Sequence, residues 1–195
     1  MSDPEDVRQD ASASIQIIAG DEDLKGRYAN RMSVSHTGEE FVLDFFWVTP
    51  SSRGEAHGTL VSRVVTSPSH FKRIVAALED NVYKYDQQFG EIEEPRGQFP
   101  VPDDIAAVQG RYANLMSVSH TGEEFVLDFF SVTPSSRSEA RGALVSRVVT
   151  SPSHFKRIVA ALEDNVDKYE QQFGEIEEPR GQFPVPDDIA AVQGR

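Results

Sequence analysis

The chain has 195 residues, with 19 basic against 32 acidic side chains, a net charge of −13 and no cysteine. Disulfides, thiolate metal sites and a cysteine nucleophile are therefore excluded, and the acidic balance disfavours phosphate backbones and anionic membranes. No apolar run reaches the roughly 18 residues of a membrane span, and the acidic start Met1-Ser2-Asp3-Pro4-Glu5-Asp6 is unlike a basic secretion signal, so a cytoplasmic protein is expected.

Residues 26–109 recur as residues 110–193, and only seven positions differ: Arg31/Leu115, Trp47/Ser131, Gly54/Ser138, His57/Arg141, Thr59/Ala143, Tyr83/Asp167 and Asp86/Glu170. Most of these pairs change size or charge outright, which reads as an engineered tandem duplication with deliberately unequal halves; natural duplication followed by surface drift, and exchanges that merely improve pairing or solubility, are the alternatives. A single copy buries only roughly 60–65% of its unfolded surface, so each half needs a partner, and the other half is the nearest one.

Residues 1–13 are polar and lack apolar periodicity, predicting a disordered leader. Ile15-Gln16-Ile17-Ile18 reads as an edge strand opening the first copy, 14–90, and the second copy, 112–174, is expected to lack it. Residues 31–36 alternate like a strand with one apolar face, and Thr37-Gly38 supplies the turn. From Glu40 to Thr49 both parities are largely apolar. One face of such a strand can take a helix, and the other is expected to pack on another sheet or another copy.

A polar loop is predicted over Pro50–Gly58 and a Val-rich strand over Thr59–Thr66. Ser67 is placed to cap a helix with its side chain, and Pro68 costs nothing at the first helical position. Phe71, Ile74, Val75, Leu78, Val82, Tyr85 and Phe89 follow at helical spacing until Gly90. Residues 91–111, rich in Pro and Gly, form a linker, with a short helix expected over Ile105–Val108 and a corresponding tail over 175–195. A linker of about 20 residues spans up to roughly 70 Å, which makes intramolecular pairing easy.

Tyr28-Ala29-Asn30, Val34-Ser35-His36, Glu40-Phe41-Val42-Leu43-Asp44-Phe45, Ser62-Arg63-Val64-Val65 and Ser67-Pro68-Ser69-His70 together form a recognisable pattern. With Ala77-Leu78, Asn81, Lys84-Tyr85 and Phe89-Gly90-Glu91-Ile92, and with the same motifs from Tyr112 to Ile176, the chain resembles domain of unknown function 3467. The resemblance implies a compact bacterial or archaeal cytoplasmic module and carries no activity, catalytic residue or cofactor. Family members usually hold an apolar residue at the position of Leu115, so Arg31 reads as the altered residue and copy one as the modified half.

Strand parity is expected to align Arg31, Trp47, His57 and Thr59 on one sheet face. About 100° per residue puts Tyr83 and position 86 beside the apolar helix stripe. These residues suggest a ligand- or partner-binding surface: Trp47 and Tyr83 as flat contacts, Arg31 as a carboxylate or anion clamp, His57 as a donor. Asp44 and Asp128 sit in apolar strands, where a lone carboxylate is costly, so Arg63 and Arg147 are expected to pair with them. The histidines lack metal-ligand spacing, no cofactor motif is present, and neither a phosphate-binding glycine loop nor a nucleophile elbow occurs.

The expected architecture is α+β: two copies of an antiparallel β-sheet followed by a long α-helix, packed as a single-chain pseudo-twofold dimer. The expected role is a non-enzymatic binding or interaction scaffold for a small molecule or a protein partner. One alternative is a designed or evolved enzyme with His57 or Asp44 as base. Another is a single-stranded nucleic-acid-binding module stacking bases on Trp47, which the acidic charge opposes.

Overall fold

A computed structural model describes residues 14–50, 56–93, 109–135 and 139–177. The leader, most of the linker with its expected helix over 105–108, residues 178–195 and the Gly54/Ser138 exchange lie outside the described residues. In chain order the elements are β1 (Ser14–Ile18), α1 (Asp21–Leu24), β2 (Arg27–Tyr28), β3 (Arg31–His36), β4 (Phe41–Pro50), β5 (Ala56–Thr66) and α2 (Pro68–Phe89). The second copy gives β6 (Arg111–Tyr112), β7 (Leu115–His120), β8 (Phe125–Pro134), β9 (Glu139–Thr150) and α3 (Pro152–Phe173).

The local signals explain these boundaries. Thr37 Oγ1 accepts the amides of Glu39 and Glu40 at 3.2 Å, closing the β3–β4 turn. The strand after the loop begins at Ala56, so His57 and Gly58 are strand residues and not loop. Gly90 ends α2 at φ +93°, a backbone region that favours glycine. Ser67 departs from the expectation: its hydroxyl meets His70 Nδ1 at 2.7 Å, not a free helix amide. The hydroxyl is turned toward the ring three residues on, a local side-chain contact that takes the place of the cap.

The two sheets interlock. β3, β4 and β5 form an antiparallel sheet to which β6 of the second copy adds in parallel. β7, β8 and β9 form the other, joined in parallel by β2 and by β1 of the first copy. Each sheet is thus antiparallel at its centre and mixed at its edge, where the sequence predicts antiparallel strands alone. The predicted edge strand β1 exists, but it belongs to the other copy's sheet, with Ile17 opposite Gly142. Glycine makes the exchange feasible: a Cβ on Gly110 would stand 2.6 Å from Val65 Cγ2, so only a bare backbone approaches that closely.

The helices cross over as well. α2 packs on β7 and α3 on β3, with Tyr85 Oη donating to the Gly122 carbonyl and Tyr169 Oη to that of Gly38, each at 2.7 Å. Phe41 stacks on Phe71 at 3.8 Å between ring centres while Tyr169 of the other copy lies 5.1 Å away. The result is one core drawn from both copies, with Phe45 and Phe129 meeting at 5.8 Å. Burial of each such ring contributes about 1.5–3 kcal/mol, and part of that burial is supplied by the other copy.

Both faces of β4 and β8 are buried, as their composition predicts, but by different partners. Phe41, Leu43 and Phe45 enter the shared core. On the other face of β8, Phe130 and Val132 cluster with Ala19, Ala140 and Leu144, and Ile15, Ile17, Leu24 and Leu115 pack against them. The copies therefore meet through their helix-bearing faces, and the N-terminal segment β1–α1 covers the second face of β8.

Candidate functional site

The five residues singled out from sequence do not converge. Trp47 pairs across the ladder with Thr59, and His57 pairs with Thr49, so these side chains share one exposed face near the Pro50–Ala56 end of the β4–β5 ladder. Arg31 is opposite Phe46, which in turn is opposite Leu60, and it stands on the other face. The β3–β4 register sets this separation, since Arg31 pairs with Phe46 and not with Trp47, while a bulge that pairs Phe45 with Ser62 but Phe46 with Leu60 leaves Val61 extra and turns Thr59 and His57 onto the Trp47 face. Parity counted straight through the strand missed it. Tyr83 lies apart on α2, 65% exposed.

Trp47, the chain's single tryptophan, is 41% exposed. Its ring meets Tyr28 edge-on at 5.1 Å between centres. Because β2 pairs with β9 while Trp47 stands on β4, this contact bridges the two sheets. Serine at the equivalent position 131 offers no ring to Tyr112, which is 49% exposed. The aromatic pair is thus peculiar to the first copy.

Arg31 opens onto a cleft of about 100 Å³ lined by Asn30, Met32 and, from α3, His154, Arg157 and Ile158. Asn30 forms a fixed wall: its amide donates to the Val48 carbonyl and accepts the Val48 N–H, both at 2.8 Å. Arg31 Nε is buried without a hydrogen-bond partner. Burial, and secondarily the charge of Arg157, pull the Arg31 guanidinium below its ordinary value. His154 is lowered by burial first, then by Arg157 and Arg31. Its Nδ1 lies 2.7 Å from Ser151 Oγ. No sequence signal links Arg31 to His154 and Arg157, since only the helix exchange brings the second copy's α3 to the first copy's β3.

The expected ion pairs form. Arg63 holds both oxygens of Asp44 at 2.6 and 2.8 Å, and Arg147 those of Asp128 at 2.6 and 2.7 Å. The carboxylate raises each guanidinium above its ordinary value through the hydrogen bond. A carboxylate gripped at both oxygens has little freedom to take a substrate proton. Among the described residues no group of three or more His, Asp or Glu side chains is placed to hold a metal ion. None of the described helices is long and apolar enough to cross a membrane.

No curated protein matches the chain. A family model described as a protein of unknown function, DUF3467, matches residues 1–94 and again residues 99–178, two matches that coincide with the two copies seen in the sequence and in the interlocked sheets. The chain belongs to that family, present here twice.

Proposed function

We propose that the chain is a non-enzymatic interaction scaffold: an intramolecular pseudo-dimer whose first copy carries a recognition surface that the second lacks. The observation that carries this reading is the exposed aromatic contact of Trp47 with Tyr28 beside Thr59 and His57. Three of these four positions, Trp47, His57 and Thr59, are among the seven at which the copies differ. Exposed aromatic rings with adjacent donors are the usual anchors of protein recognition. A drug-sized molecule needs roughly 300–1,000 Å³, more than the cleft at Arg31 provides, so a protein or peptide partner fits the Trp47 face better than an enclosed small molecule.

Such an arrangement suits a fused pair. A surface change in a homodimer appears twice, whereas a tandem chain confines it to one side. Peptide-display selection against the chain, with counter-selection against Trp47→Ser, tests the reading. Peptides preferring the parent are expected, and their binding should weaken at least tenfold in His57→Arg or Thr59→Ala, which install the second copy's residues. Recovery only of peptides that bind parent and Trp47→Ser equally would overturn it.

A further inference from the structure

Two guanidiniums and an imidazole line one small cleft in a chain of net charge −13. The neighbours that shift Arg31 and His154 through charge are themselves cations. Arg31 Nε, buried with no partner, is a donor whose hydrogen bond is unmade, and an unmade buried donor costs about 1–3 kcal/mol. The repeat-related position holds Leu115, so this arrangement occurs in the first copy's sheet alone.

The size of the cleft defines its occupant. About 100 Å³ is the liquid volume of about three waters at roughly 30 Å³ each, enough for one compact oxyanion and too little for a ring system. Guanidinium donors match oxyanions through paired, directional N–H groups. His154 Nδ1 lies 2.7 Å from Ser151 Oγ, and when that hydroxyl donates to it the other ring nitrogen of the neutral imidazole carries the hydrogen and is a further donor.

We propose that this cleft binds a small oxyanion, a carboxylate or phosphate group, between Arg31 of the first copy and His154 and Arg157 of the second. The site deepens the reading of the first copy as the recognition half and rests on it. An oxyanion there joins β3 to the start of α3, so its binding bears on the contact between copies as well as on recognition.

The test is a heteronuclear NMR titration of the full chain with inorganic phosphate, and separately with acetate, in low-chloride buffer at pH 7.5. Saturable shifts at His154 and Met32 are expected, stronger for phosphate if the site takes a tetrahedral group and for acetate if it takes a planar one. Arg31→Leu should weaken binding at least tenfold. Since the second copy folds with leucine there, that variant keeps the fold. Arg31→Lys should bind with intermediate affinity and Trp47→Ser as the parent does. Equal affinity in Arg31→Leu, or shifts that stay linear in concentration for both ions, would overturn the site. Saturable phosphate binding beside a failed peptide selection would sink only the Trp47 reading, and the reverse would sink only the oxyanion site.

Discussion

Ser62 Oγ and Ser146 Oγ lie 2.7 Å apart. The two serines occupy the same position of the repeat, so their contact marks the place where the copies face each other as equals. Each is opposite a core phenylalanine, Ser62 opposite Phe45 and Ser146 opposite Phe129, and those rings meet across the same line. A small polar pair there allows the strands to approach where two larger side chains would collide.

Replacing either serine by alanine leaves the partner hydroxyl unpaired in a largely buried setting. Each single change should cost about 1 kcal/mol, and the double change less than the sum, because the second removal leaves nothing unsatisfied. Urea unfolding of the four chains in the cycle measures this. Strict additivity would mean that the hydroxyls do not interact in solution.

The crossing of β1 onto β9 has an equally direct test. A Cβ on Gly142 would lie 2.6 Å from Ile17 Cδ1 and 3.1 Å from Val132 Cγ2. Gly142→Ala should therefore destabilise by about 1–3 kcal/mol through overpacking, and Ile17→Val, which removes the nearer methyl, should recover part of the loss. Failure of Ile17→Val to improve on Gly142→Ala would show that β1 does not rest there.

The elements of each copy were legible because their signals are local: alternation over residues 31–36, the Ser-Pro start and Gly stop of α2, the apolar helix stripe. The Asp44–Arg63 pair was legible too, since a carboxylate in an apolar strand requires a counter-ion on its neighbour. The exchange of β1, β2 and the helices was not. Two nearly identical copies present nearly identical pairing edges, so sequence cannot tell whether a strand pairs within its own copy or with the other. The bulge after Phe45 was equally hidden, because Val61 looks like any strand residue, and it set Thr59 and His57 on the face of Trp47 and away from that of Arg31.

Between the helices, two carboxylates respond to pH in opposite senses. Glu170 is held below its ordinary range by the hydrogen bond from Lys72 Nζ at 2.9 Å and by the Ile176 amide at 3.2 Å. Its contribution is present above the unfolded pKa and lost as pH falls through the lower folded value. Glu163 is raised by burial and by Glu79, so its contribution is present below the unfolded pKa and lost as pH rises through the higher folded value. Glu170→Gln should thus lower stability at neutral pH and converge on the parent in acid. Glu163→Gln should raise it at neutral pH, with the advantage vanishing in acid. Denaturant melts between pH 3 and pH 7 decide the matter, and parallel pH profiles for the two variants would refute both assignments.

Arg31 and Leu115 occupy one position of the repeat in two environments, and exchanging them probes both. Leu115 packs on the cluster around Phe130, so Leu115→Arg should cost at least about 2 kcal/mol by pushing a charge against apolar surface. Arg31→Leu removes a buried, unsatisfied Nε and should stabilise by about 1 kcal/mol in anion-free buffer. It also removes one of the cations that depress His154, whereas His70 is depressed by burial and Arg73 alone. The His154 pKa should therefore rise toward that of His70, leaving the neutral ring's contribution intact down to a less acid limit: that contribution exists above the unfolded pKa and disappears as pH falls through the folded one. Imidazole proton shifts followed from pH 4 to pH 8 report both residues in one experiment. An unmoved His154 would place Arg31 too far away to share a site with it.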